Sequence, residues 1–146
     1  MRVLGIDYGD RHIGLALSDP LLITAQPLGS YELTGRENAD RQFFRDLVAR
    51  HDVGEIVLGD PLRMDGSSGT RAEKTRVFAA WLEKAVGKPI VFLDERLTTK
   101  QALTTLKDEK LRGRKKKDWE DRIAAVIILS TYLERKRYAD HVPEGN

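Results

Sequence analysis

The chain has 146 residues, 33% of them charged and 40% hydrophobic, with 25 basic and 23 acidic side chains for a formal net charge of +2. That length suits one domain, and that mixture suits a packed core under a charged surface rather than a disordered chain. The absence of cysteine excludes disulfides, thiolate metal sites and cysteine nucleophiles, and so small a net charge means that an anionic partner must be held by a local basic patch.

In chain order, Val3, Leu4 and Ile6 form an apolar run that ends at Asp7. A turn at Gly9 and the alternation of Ile13, Leu15 and Leu17 then predict a strand–turn–strand hairpin. A charge at Arg2 interrupts any signal-peptide core. No apolar run approaches the roughly 20 residues that span a bilayer. A cytoplasmic protein without a membrane partner is expected. A third strand is predicted within Ile23–Leu33, with Pro27 marking an edge or a bulge.

Phe43, Phe44, Leu47 and Val48 give Asp40–Arg50 a helical period. Glu55–Gly59 reads as a buried strand, closed by Asp60-Pro61, and the Gly/Ser-rich stretch from Leu62 to Thr70 as a loop. The next helix has Val77, Phe78, Trp81 and Leu82 on its apolar face, Gly87 at its cap and Pro89 just beyond. Ile90–Leu93 is a fifth strand that ends at Asp94-Glu95-Arg96. A short helix is predicted over Thr98–Leu106, a basic segment over Lys107–Lys117, and a last helix over Asp118–Arg137. The prediction is a single domain over residues 1–138 with a polar tail over 139–146. Its α/β fold is a five-stranded mixed sheet, an antiparallel three-strand meander plus parallel strands, flanked by helices.

Three acids stand out by position. Asp7 and Glu95 lie where the first and fifth strands run out, and functional groups gather beyond the carboxyl ends of strands. Asp121 is in the first turn of the predicted last helix and shares a face with Ala124, Ala125 and Ile128. The small alanines would let that helix lie close to the sheet. Three carboxylates at one point need cations between them, and hard oxygen ligands suit Mg²⁺ or Mn²⁺. His12, His51 and His141 are too scattered for a zinc site. Each acid also has a structural reading. Asp7 could open the turn at Gly9, Glu95 could pair with Arg96 or cap a helix, and Asp121 could complement a helix dipole behind Asp118.

Gly5-Ile6-Asp7-Tyr8-Gly9 with Ile13-Gly14-Leu15-Ala16, then Gly59-Asp60-Pro61-Leu62 with Met64-Asp65-Gly66-Ser67, resemble the first two motifs of the YqgF (RuvX) family. Asp94-Glu95-Arg96-Leu97-Thr98-Thr99 and Asp121-Arg122-Ile123-Ala124-Ala125 resemble its third and fourth. The four motifs stand in family order over nearly the whole chain. The resemblance implies a ribonuclease-H-like fold and a two-metal-ion nuclease with Asp7, Glu95 and Asp121 as catalytic and metal-binding residues. It implies a nucleic-acid substrate, either the 5′ end of the 16S ribosomal RNA precursor or a four-way DNA (Holliday) junction. Asp60 departs from the family pattern, which more often carries an uncharged residue before the proline; it is a candidate additional metal ligand or, as the reading favoured here, a solvated strand-end residue.

Lys115, Lys116 and Lys117, at the end of a basic cluster, and Arg63 with Ser67 and Ser68, ahead of a helix N-terminus, are the candidate nucleic-acid-binding residues. Two other classes compete. One is an actin- or sugar-kinase-like ATPase, for which 146 residues are too few. The other is a non-catalytic nucleic-acid or ribosome-binding module. Monomer and homodimer both remain open.

Overall fold

The computed structural model describes residues 1–9, 11–62, 69–98 and 115–141, with side chains of the last helix described from Arg122 to Ala139. The order is β1 (Arg2–Tyr8), β2 (His12–Ser18), β3 (Ala25–Glu32), α1 (Glu37–Arg50), β4 (Val53–Asp60), α2 (Thr70–Val86), β5 (Ile90–Asp94), a 3₁₀ turn (Glu95–Leu97) and α3 (Lys115–His141). The predicted short helix over Thr98–Leu106 falls, from residue 99 onwards, outside the described residues. So do the loop carrying Arg63, Ser67 and Ser68 and residues 107–114 of the basic segment.

The five strands form one sheet in the order β3-β2-β1-β4-β5. β1, β2 and β3 are antiparallel neighbours, while β1, β4 and β5 run parallel. The predicted mixed sheet is therefore present. The first turn is tight: the Gly9 N–H donates to the His12 carbonyl, and a Cβ on Gly9 would stand 2.7 Å from that oxygen. β3 is an edge strand, and its register shifts between the Leu15–Gly29 and Ala16–Pro27 pairs. Pro27 is thus tolerated at both an edge and a bulge, where a missing N–H costs least.

Strand parity separates two cores. Leu4, Ile6, Ile13, Leu15, Ile56 and Leu58 pack against Phe44 and Leu47 of α1 and Phe78 and Leu82 of α2. Val3, Ala16, Val57 and Leu93 pack against Ala125, Ile128, Leu129 and Leu133 of α3. Each fully buried large side chain contributes roughly 1.5–3 kcal/mol. α2 ends as predicted, with Gly87 in the left-handed region (φ 68°) and its N–H bonded to the Glu83 carbonyl. Val77 differs from expectation. It is 72% exposed, because the buried line of α2 runs through Ala72, Thr75, Phe78, Ala79 and Leu82.

α1 begins three residues before its predicted start. Asp40 is buried within it and ties the helix to the sheet, accepting from the Tyr31 hydroxyl (2.7 Å) and from the Thr34 backbone and hydroxyl. Burial works to raise the Asp40 pKa, but these donors outweigh it and hold the carboxyl below its ordinary 3.8. Burial and the Asp40 charge push the Tyr31 hydroxyl up to about 12. α3 is longer than predicted at both ends. Lys115–Lys117 belong to its first turn, and Asp121 is its seventh residue rather than part of its first turn. No helix of the described residues is long and apolar enough to cross a membrane.

Candidate active site

The parallel arrangement of β1, β4 and β5 brings their carboxyl ends to one edge of the sheet. The last β1–β4 pair is Ile6–Leu58, which sets Asp7 level with Gly59. On its other side Asp7 pairs with Gly14 of β2. Asp7 therefore stands between two residues without side chains, at the strand spacing of about 4.8 Å. It has the parity of Val3 and faces α3.

Glu95 joins it on that face. A Cβ on Gly59 would come within 3.1 Å of the Glu95 Cδ and Cγ and within 2.6 Å of the Ile128 Cδ1. The Glu95 carboxyl thus lies over the bare backbone of Gly59, next to the strand position of Asp7. The turn that delivers it is built by its neighbour. The Asp94 carboxylate caps the 3₁₀ turn by accepting from the Arg96 N–H (3.0 Å) and grips the Arg96 guanidinium through Nε (2.9 Å). The Arg96 side chain holds the Asp94 carboxyl below its usual range. Asp94 thus both pairs with Arg96 and caps the turn that carries Glu95.

α3 approaches this edge closely because Gly5 lets it. A Cβ on Gly5 would sit 2.7 Å from the Leu129 Cβ and 3.1 Å from the Ala125 carbonyl oxygen. Ala125 is fully buried there, whereas Ala124 is half-buried, so the alanine argument holds for one of the two residues. Residue 121 stands one turn before Ala125 on the same face, about 6 Å along the axis. The Asp121 side chain itself lies outside the described residues, as do those of Lys115, Lys116 and Lys117. Among the described residues no group of three potential metal-ligating side chains is completed.

Asp60 goes elsewhere. It pairs in register with Asp94 at the ends of β4 and β5, but its parity turns it to the α2 face. There its Oδ2 accepts from the Arg76 Nη2 at 2.9 Å, and Arg76 lies 6.0 Å from the centre of the Phe92 ring. Asp60 is 7% exposed, and its Oδ1 has no hydrogen-bond partner among the described residues. The structure places Asp60 on the face opposite Asp7 and Glu95, paired with Arg76. The sequence reasoning missed the two glycines, Gly5 and Gly59, that let α3 and Glu95 lie close over that face. Their signal was their parity with Asp7 and Glu95 along the strands.

A family model described as "RuvX: Holliday junction resolvase" matches residues 1–135. The chain belongs to the RuvX family. Among its RuvX relatives, a protein of Koribacter versatilis (strain Ellin345) is 42% identical over 135 residues, 92% of this chain and 88% of that protein. One of Dictyoglomus thermophilum (strain ATCC 35947 / DSM 3960 / H-6-12) is 43% identical over 134 residues, 92% of this chain and 96% of that protein. Both are named as candidate pre-16S rRNA nucleases. The solved structure of RuvC from Thermus thermophilus aligns with a TM-score of 0.60 at 15% identity, over 94% of this chain and 97% of that one. RuvC of T. thermophilus in complex with a Holliday junction substrate aligns with a TM-score of 0.56 at 15% identity, over 94% and 96%. The RuvX chain thus has the ribonuclease-H-like fold of RuvC.

Proposed function

We propose that this RuvX protein is a divalent-metal-dependent nuclease that hydrolyses phosphodiester bonds in structured nucleic acid, and that its substrate is the 5′ end of the 16S ribosomal RNA precursor. The observation that carries this reading is the Glu95 carboxyl laid over Gly59 beside Asp7, beneath a helix drawn in by Gly5. The donor set suits a hard cation, since it is all carboxylate oxygen. The missing Cβ of Gly59 lets the Glu95 carboxyl lie directly over the strand backbone. Asp7, Glu95 and Asp121 would hold the metal. Two Mg²⁺ or Mn²⁺ ions bound there would supply Lewis acidity toward the attacking water and the leaving oxygen.

The residues of the chain then have distinct tasks. Asp7 fixes one ligand on the rigid centre of the sheet. Glu95 brings a second from a turn that Asp94 and Arg96 hold in place. Lys115, Lys116 and Lys117, with Arg63, Ser67 and Ser68, hold the phosphate backbone without reading sequence. The substrate preference follows the names of the relatives; the description of the family favours a four-way DNA junction as the second reading.

The test is cleavage, in Mg²⁺ and in Mn²⁺, of an RNA spanning the precursor–mature 5′ boundary and of a four-way DNA junction. Wild-type protein should cut the RNA faster than the junction, and Asp7→Asn and Glu95→Gln should each cut far more slowly than wild type. An Asp7→Asn protein that cuts as fast as wild type overturns the site, and faster cutting of the junction overturns the substrate.

A further inference from the structure

We propose that Arg122 is a further catalytic residue, whose guanidinium grips a non-bridging oxygen of the phosphodiester being cut; this rests on the nuclease reading above. The observation is an unsatisfied donor. Arg122 is half-buried, its Nε is buried, and among the described residues that N–H finds no acceptor and the side chain forms no ion pair. A buried N–H without a partner costs about 1–3 kcal/mol, more when it carries charge. Nearly all buried polar groups in folded proteins are paired. A charged donor kept in this state is poised for an acceptor that the described residues do not supply.

Its placement says which acceptor. Leu129 lies over Gly5, and Ile128 reaches Gly59 near the carboxyl end of β4. Further along α3, Tyr132 and Lys136 bond Glu55 near the start of that strand. The helix therefore runs antiparallel to β1 and β4. Arg122 is seven residues before Leu129, two turns and about 10 Å back along the axis. It lies nearly in line with Leu129, the residue seated on Gly5. Over about 10 Å, β1 advances some three residues beyond Gly5, to Asp7 and Tyr8, where the sheet ends. Helical side chains lean toward the helix N-terminus, which carries the guanidinium further toward that edge. Arg122 thus stands over the end of β1, beside the carboxylate that anchors the proposed site.

Its chemistry is complementary to those carboxylates. During hydrolysis the water oxygen bonds to phosphorus while the bond to the leaving sugar oxygen breaks. One proton leaves the water and one is gained by the leaving oxygen. Charge gathers on the non-bridging oxygens, which the acids repel and a guanidinium stabilises. Arginine suits this better than lysine, because its planar fork holds two oxygens at once and cannot lose its proton.

The test compares Arg122→Gln and Arg122→Lys with wild type on whichever substrate the wild type cuts. Single-turnover cleavage by Arg122→Gln should fall on the order of 10²–10³-fold, with Mn²⁺ affinity by electron paramagnetic resonance and the melting temperature unchanged. Arg122→Lys should recover part of the rate, and added guanidinium should rescue Arg122→Gln. A wild-type rate in Arg122→Gln overturns the proposal. So does a loss matched by weaker Mn²⁺ binding or by a lower melting temperature, which marks a residue that merely positions Asp7 or Asp121. If wild type binds nucleic acid but cuts neither substrate, the nuclease reading fails by itself. The salt dependence of binding then decides Arg122. Losing one phosphate contact should make the log–log slope shallower by about 0.7–0.9, and an unchanged slope overturns the contact.

Discussion

The two faces of the sheet meet at the same edge and treat their acids in opposite ways. On the α2 face, Asp60 and Asp94 are register neighbours, and each is held by an arginine, Arg76 or Arg96. On the α3 face, Asp7 and Glu95 surround a floor of glycine, and a close helix stands above them. Like charges side by side on adjacent strands repel. The α2 face cancels that repulsion with its own cations and becomes part of the fold. On the α3 face the bare glycines instead let the helix and the Glu95 carboxyl lie close over the strands. Which helix and which neighbours a strand-end carboxylate meets is thus set by its parity.

The largest effect that would break this contrast is on activity. Asp7→Asn should slow cleavage on the order of 10³-fold, the several kcal/mol of charge stabilisation that a metal-holding carboxylate supports. Its melting temperature should hold or rise, since one member of a repelling group has gone. A matching loss of stability would make Asp7 a structural acid like Asp60. Next, Gly59→Ala places a Cβ against the Glu95 carboxyl and the Ile128 side chain. It should cost about 1–3 kcal/mol as overpacking and at least tenfold in cleavage, read by denaturant titration beside the assay. Full activity would show that Glu95 does not depend on the bare floor.

Asp60→Asn should do the reverse of Asp7→Asn. It weakens the hold on the partly exposed Arg76, costs about 1 kcal/mol, and leaves cleavage within twofold. A loss of Mn²⁺ binding in this variant would return Asp60 to the site. The smallest effect is the pH dependence of stability. Asp94 and Asp40 both titrate below their ordinary 3.8 in the folded chain. Their stabilisation is complete above about pH 4 and is lost as the pH falls through the lowered values. Tyr31 works in the other direction. With its folded pKa about 12 against 10.0 when unfolded, its contribution is full below pH 10 and is lost between 10 and 12. Asp40→Asn should flatten the acid limb of the melting temperature against pH, and an unchanged limb would exclude Asp40 as its source.

Much of the fold was legible in the chain. Apolar periodicity located the strands and helices, Pro27 marked an edge and a bulge, and Gly87 marked a helix end, because these signals are local. Helix bounds were missed by several residues. α3 is carried past its apolar stretch by a lysine-rich first turn, and α1 starts early so that Asp40 can tie down β3. Val77 was misplaced by one step around its helix, since neighbouring residues there differ by about 100°.

The sequence by itself determined that carboxylates end β1, β4 and β5, that glycines flank them, and that four motifs stand in RuvX order. Only the tertiary structure decided which acids share a face. The parallel β1–β4–β5 register sets Gly59 beside Asp7, and the capped turn after β5 folds Glu95 over it. Asp60, one residue further along β4, projects to the opposite side and meets Arg76. That assignment depends on strand alternation and register between segments some fifty residues apart. No local pattern encodes it, because a shift of one residue would exchange the two faces.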